Sequence, residues 1–192
     1  MVGWLTESTW AGPVLWSGLY VSDYALTIAC ARMYRAQDKI VFEGSYEITP
    51  LYQADVNALR RVSPRFLLVL VGSTVYVALA RLLAGPSSGL FGMYELVLGA
   101  LILIQATVHT RHLRNWHLFA RVVTFLKGRL EHPRGIMLRH SSFELFVFAG
   151  LYTGIFAVTG SLFVLGGAFA CGVLALNHWR LARRHEAGLA KR

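Results

Sequence analysis

The sequence predicts an all-α integral membrane protein, a bundle of five transmembrane helices, and three observations predict it. Of the 192 residues, 55% are hydrophobic and 15% charged, with a mean hydropathy of +0.49. A soluble domain carries roughly 25% charged residues, so this chain has too little polar surface to cover a water-soluble core. The apolar residues come in blocks, as membrane spans require. Third, 18 of the 19 Lys and Arg residues fall in three segments between or after those blocks. The length suits a single transmembrane domain over residues 1–192.

The first span is expected over residues 12–31, apolar except for Asp23 and a few hydroxyls. An Asp at a helix centre costs about 2.5–3.5 kcal/mol on insertion scales. If this segment lies in the interface instead, four spans remain. Residues 32–65 are polar. Within them Lys39 to Thr49 reads as two short β-prone runs around Glu43-Gly44-Ser45, suggesting a small hairpin. Thr49-Pro50 reads as an N-cap followed by Pro at the first helical position. A short surface helix follows, with Tyr52, Val56, Leu59 and Ser63 on one face and Asp55, Arg60 and Arg61 turned away.

Residues 66–84 and 90–108 form the second and third spans, joined at the uncharged turn Gly85-Pro86-Ser87-Ser88-Gly89. Residues 109–142 return to basic, amphipathic character. His112, Trp116, Phe119, Val123, Leu126 and Leu130 follow a helical stripe, with Arg111, Arg114, Arg121 and Arg129 largely off it. The third helix is therefore expected to leave the membrane and bend onto its surface as an amphipathic helix, with its stripe turned toward the bundle or the acyl chains. The last apolar block, residues 143–176, would be about 51 Å long as one helix, against a hydrocarbon core of about 30 Å. It should fold back at Thr159-Gly160-Ser161 into spans over 144–158 and 162–177. Gly150 and Gly154 form a GxxxG pair on the first of these, and Gly167, Cys171 and Ala175 recur every four residues on the second. Small residues at this spacing let helix backbones approach closely.

Charge sets the orientation. Six basic residues lie in 32–65, seven in 109–142 and five in 178–192, and Arg81 alone lies elsewhere. The positive-inside rule then places these segments in the cytoplasm of a multi-pass cell-membrane protein, with the N-terminus outside and the C-terminus inside. With four spans, both termini are cytoplasmic. The N-terminal decapeptide holds Glu7 and no Lys or Arg, so no cleaved signal peptide is expected. The net charge of +9 points to orientation and anionic lipid, and no nucleic-acid motif accompanies it. Cys30 and Cys171 sit in apolar stretches and read as packing residues.

Three groups of polar residues are candidates for chemistry, since intramembrane charge is costly. Arg81 and Glu95 flank the same turn at similar depth, which predicts an ion pair. Asp23 has no evident partner and shares a helical face with Tyr20, Thr27, Cys30 and Tyr34. Third, His109 and His112 are i, i+3, His140 and Glu144 are i, i+4, and His178 stands near the start of the tail. These five could converge on a divalent metal, or His109 and His178 could ligate haem from opposite helices. Glu131-His132-Pro133-Arg134 is similar, over these few residues, to the His-Pro element of membrane methyltransferases acting on prenylated cysteines or phospholipids. The paired glutamates those enzymes carry near the C-terminus are absent, Glu186 being the tail's one acid. That family is not assigned. P-loop, dinucleotide and GxSxG motifs are lacking, as are internal repeats.

The function expected from these features is binding of anionic lipid or a protein partner, without catalysis. Arg111, Arg114, Arg121, Arg129 and Trp116 on the basic cytoplasmic face would carry it. The alternatives are a small enzyme or electron carrier built on the histidine cluster, and an oligomeric channel or transporter using Asp23.

Overall fold

The computed structural model describes residues 3–85 and 88–189. Pro86 and Ser87 of the expected turn, and Lys191 and Arg192 of the basic tail, lie outside the described residues. Five helices are long and apolar enough to cross a membrane. They are α2 (Ala11–Arg35), α4 (Pro64–Leu83), α5 (Phe91–His117, continuing through a π-helical turn Leu118–Val122 into α6, Val123–Phe125), α7 (Arg134–Thr159) and α8 (Leu162–Leu189). Short elements complete the chain: α1 (Gly3–Glu7), α3 (Pro50–Asn57), β1 (Ile40–Phe42) and β2 (Leu130–His132).

The helix starts follow from local chemistry. The Ser63 hydroxyl accepts from the Phe66 N–H at 3.3 Å, and Pro64 takes the first helical position of α4. Pro50 opens α3 in the same way after Thr49, but the Thr49 side chain makes no cap; its own N–H donates to the Glu47 carboxylate at 2.7 Å. Asp55, expected to face outward, is instead buried. It accepts from Ser63 at 2.6 Å and Arg60 at 3.0 Å, so it locks the corner between α3 and α4. The last apolar block folds back where expected. Gly160 closes α7 with φ +64°, a left-handed conformation that glycine adopts without strain, and α8 begins two residues later.

Helix packing is closest between α5 and α8. A Cβ on Gly99 would lie 1.8 Å from the Phe163 carbonyl oxygen, and one on Gly166 would lie 1.9 Å from that of Leu96. Cys171 and Ala175, on the predicted small-residue face of α8, are fully buried. Gly150 and Gly154 do not share this role: a Cβ on either would meet nothing within 4 Å. Their face of α7 points away from the bundle, and the close approach falls to other glycines.

The polar segments differ from expectation in two ways. No hairpin forms within residues 39–49. β1 pairs in parallel with β2, Ile40 opposite Leu130 and Phe42 opposite His132. The chain after Gly44 turns inward, where Tyr46 stacks on Tyr34 and meets Phe119 edge-on, and it is lost to any strand. Nor is a separate amphipathic surface helix seen over 111–129. That stretch begins as the end of a 35-residue helical rod, Phe91–Phe125. Its stripe packs on the protein itself, with Phe119 and Val123 buried against Cys30 and Ile40. Lys39 ends the rod by donating to the carbonyls of Val123 at 3.2 Å and Leu126 at 2.9 Å.

The expected Arg81–Glu95 ion pair is absent among the described residues. Arg81 is buried, donates to the Ala84 carbonyl at 3.0 Å and to that of Glu7, and lies over the rings of Phe91 and Tyr94. Carbonyls at the end of α4 lack helical partners and sit at the negative pole of the helix dipole, so they satisfy the guanidinium locally. The remaining basic residues among the described ones gather at the other end of the bundle. There α2 and α5 end, α4 and α7 begin, and the polar end of α8 lies against them through Arg139–Glu186 at 2.5 Å. Elsewhere the outer surface is apolar: Leu68 and Leu83 of α4 are 76% exposed and Val158 of α7 is 87% exposed.

Candidate functional site

The helices run on past their apolar blocks at the basic end and enclose a cavity of about 500 Å³. Its walls are α2, α5, α7 and α8, with α3, the start of α4 and the β1–β2 segments closing over them. One wall is aromatic. Tyr24 stacks on Phe66 with ring centres 4.3 Å apart, and the hydroxyls of Tyr20 and Tyr52 meet at 2.5 Å.

The opposite walls carry charge. Between α2 and α5, Asp23 Oδ1 lies 2.7 Å from His112 Nε2, with the Thr27 hydroxyl 3.3 Å from the same nitrogen. His112 is buried and its Nδ1 has no hydrogen-bond partner. One helical turn away, His109 Nε2 lies 2.6 Å from the Ser22 hydroxyl, and its Nδ1 donates to the Gln105 carbonyl at 2.7 Å.

Between α5 and α7, both oxygens of Glu144 are taken by arginines. Arg111 Nε donates to Oε2 at 3.1 Å, and Arg114 Nη1 donates to Oε1. Arg111 Nη2 is buried without a partner. Arg114 Nη2 donates to Asn115 at 3.2 Å, and Asn115 in turn donates to the Tyr46 hydroxyl at 3.2 Å. Between α7 and α8, the Ser141 hydroxyl pairs with His178 Nδ1 at 2.8 Å. His140 lies edge-on to His132 of β2, ring centres 6.4 Å apart.

The roof contributes groups whose protonation is set by place. Burial pushes the Glu47 carboxyl up from its ordinary value, more than the Thr49 N–H lowers it. Burial likewise raises the Tyr46 phenol, and it lowers His132, with His140 adding to that. Outside the cavity, Glu43 accepts from the Arg134 N–H at 2.9 Å, and that bond holds its carboxyl below the usual range.

The candidate residues from sequence thus separate. His112, His140, Glu144 and His178 all line the cavity, together with Asp23, Arg111 and Arg114. They do not converge on a metal: no group of three His, Cys, Asp or Glu among the described residues is placed to hold one. Each goes to its own partner, because an acid beside two arginines and an imidazole beside an acid are satisfied pairwise. His109 and His178, the pair considered for haem, turn to different serines: His109 Nε2 to Ser22 at 2.6 Å and His178 Nδ1 to Ser141 at 2.8 Å. Arg121 and Arg129 point outward, Arg129 onto the exposed Glu131 at 3.0 Å. Trp116 is 45% exposed, off the packed face. Sequence reasoning missed Glu47, Tyr46 and His132 as lining residues. The signal for Glu47 and Tyr46 was that aromatic and acidic residues crowd the 42–52 segment; His132 stood out only within Glu131-His132-Pro133-Arg134. No protein family, curated protein or solved structure matches the chain.

Proposed function

We propose that this chain is a multi-pass membrane protein whose basic, cytoplasmic end holds an anionic membrane lipid by its headgroup. The cavity carries the reading. Two arginines three residues apart on α5 turn into it, where a purely topological charge would point to water. A volume of about 500 Å³ lies in the range of small-molecule sites and admits a headgroup. Five long apolar helices with exposed leucines on their outer faces support the bilayer setting. The alternation of basic and uncharged connections supports an external N-terminus and a cytoplasmic C-terminus. The binding surface of this reading is narrower than composition suggests: Arg111 and Arg114 hold the ligand, while Arg121, Arg129 and Trp116 face the lipid surface or solvent around it. The experiment is purification in mild detergent followed by native mass spectrometry with lipid identification. The expected result is one retained anionic phospholipid per chain, lost in Arg111→Gln. Purification free of lipid, or retention of neutral lipid alone, would overturn the reading.

A second reading rests on the Asp23–His112 pair. A histidine oriented by a carboxylate at a cavity wall is the arrangement of a general acid–base group, and would make the chain a membrane enzyme acting on the same ligand. Turnover of a phospholipid panel by the wild type, abolished in His112→Gln with lipid retention intact, would favour it.

A further inference from the structure

The headgroup cavity just proposed already contains an anion, and that anion belongs to the protein. Glu144 occupies the place between Arg111 and Arg114 where two guanidinium groups converge, one donor to each oxygen. We infer that Glu144 is an internal stand-in for a phosphate, which displaces it from the two arginines when a phosphate-bearing ligand enters.

Four observations carry this. First, the donors outnumber what Glu144 takes: Arg111 Nη2 is buried with no acceptor, so the site is built for more oxygen atoms than one carboxylate presents in this geometry. A phosphate offers three, and arginine forks match it. Second, the charge is unbalanced. Arg111 and Arg114 share the one carboxylate of Glu144, whereas Asp23 on the facing wall is hydrogen-bonded to His112. The Glu47 carboxylate in the roof accepts from the Thr49 N–H at 2.7 Å and is hydrogen-bonded to neither arginine. Third, Arg114 is braced from behind by Asn115, which Tyr46 holds in turn, so one donor keeps its aim when the carboxylate leaves. Fourth, Glu144 has somewhere to go. Its side chain is 26% exposed, and His140 stands one turn before it on α7 and lines the same cavity. A stand-in is needed because two arginines left without a counter-ion in a partly buried site would be strongly destabilising.

The shared chemistry is a phosphate group, and two sources supply it: a phospholipid headgroup or free phosphate. The test uses the full chain in nanodiscs of neutral lipid. Calorimetric titration compares inorganic phosphate, dioctanoyl phosphatidate and dioctanoyl glycerol, which lacks the phosphate. Glu144→Gln should bind the phosphate-bearing probe more tightly than wild type by about tenfold, the worth of one competing charge-assisted contact. Arg111→Gln and Arg114→Gln should each weaken it by about the same factor. Tight binding of the phosphatidate over inorganic phosphate identifies a lipid source, and equal binding identifies a soluble one; both support the exchange. Wild-type protein gives a readout that no folding defect in a variant can obscure. Carboxyl footprinting with a carbodiimide and glycine ethyl ester should label Glu144 faster once phosphatidate is bound. Unchanged or slower labelling, or weaker binding by Glu144→Gln, overturns the exchange. If the diacylglycerol binds as well as the phosphatidate in every variant, the exchange fails while an amphiphile site survives. If no probe binds, the headgroup reading fails with it.

Discussion

Asp23 on α2 and His112 on α5 meet at 2.7 Å across the cavity wall, joining two residues 89 positions apart in the chain. The pair resolves a problem each residue poses alone. Asp23 sits in an apolar helix, where an isolated carboxylate is costly, and the buried His112 would otherwise have only the Thr27 hydroxyl at 3.3 Å from its Nε2. Thr27 and the Cys30 thiol, one and two turns along the same face of α2, also turn to His112, by its ring and its carbonyl respectively. The face that carries Asp23 is thus the contact face with α5.

Removing either partner should therefore cost more than removing both. Asp23→Asn or His112→Gln leaves a buried polar group poorly paired, at about 1–3 kcal/mol. The double variant should fall well short of the sum, because it removes both ends of the interaction. Thermal unfolding of the four proteins in one detergent measures the cycle. Strict additivity would mean that the two residues do not interact.

The α5–α8 contact makes a prediction about glycines that sequence spacing would have assigned elsewhere. Gly99→Ala and Gly166→Ala each place a Cβ within 2 Å of a backbone oxygen, so the helices must separate or the chain misfolds. Overpacking of this kind costs about 1–3 kcal/mol or more. The pair Gly150→Ala and Gly154→Ala meets open space and should leave the monomer's unfolding temperature unchanged or slightly raised. The reverse ranking would show that α7, not α8, supplies the close approach.

Glu43 and Glu47 should show opposite pH behaviour although they lie four residues apart. The Arg134 N–H depresses Glu43, so its stabilising contribution is full above the ordinary carboxylate value and is lost as pH falls through the folded value. Burial raises Glu47, so its ionised form opposes folding above the raised value, and that penalty disappears as pH falls below the ordinary one. Glu43→Gln should lower the unfolding temperature at neutral pH and Glu47→Gln should raise it. Both differences should vanish in acid. A pH series of melting curves decides it, and differences of the same sign would refute the assignment.

What could be read from the chain and what could not divide along physical lines. The apolar blocks and the length mismatch in the last one located the helical hairpin, because bilayer thickness is a fixed ruler and Gly160 is the residue that can turn there. The ends of the helices were hidden. α7 begins at Arg134, ten residues before the expected span, and α8 runs through the charged tail to Leu189. Hydropathy reports where apolarity stops, not where helix stops. The cavity is made of those hidden turns, so its lining could be guessed only in part. His109 and His112 share a face as their spacing requires, but spacing does not say that α2 lies opposite. Glu144 shares a face with His140, and its partners are Arg111 and Arg114 from another helix.

Topology is open to a direct measurement. With an external N-terminus, the Gly160 turn faces outside, so Ser161→Cys should react with an impermeant maleimide added to intact cells. Reaction only after permeabilisation would place the turn, and with it the whole orientation, on the other side.

Lys39 gives the last prediction. It stands on the segment between α2 and β1, and its ammonium donates to two carbonyls at the end of the α5–α6 rod, those of Val123 and Leu126. The Val123 carbonyl receives only a long bond from the Leu126 N–H at 3.3 Å, the Leu126 carbonyl lies past the last turn, and the dipole of a 35-residue rod ends there, so a cation is favoured by about 0.3–1 kcal/mol. The same lysine immediately precedes β1, which pairs with β2 and carries Phe42 into the roof. Lys39→Met keeps the side chain's length and removes the charge and its donors. Local fraying should follow: amide hydrogen exchange over residues 118–126 and 130–132 should quicken by about twofold to fivefold, in line with that energy. Exchange in the α7–α8 hairpin should not change. An equal acceleration throughout the chain would mean that Lys39 supports the fold as a whole, and no change anywhere would mean that water satisfies these carbonyls equally well.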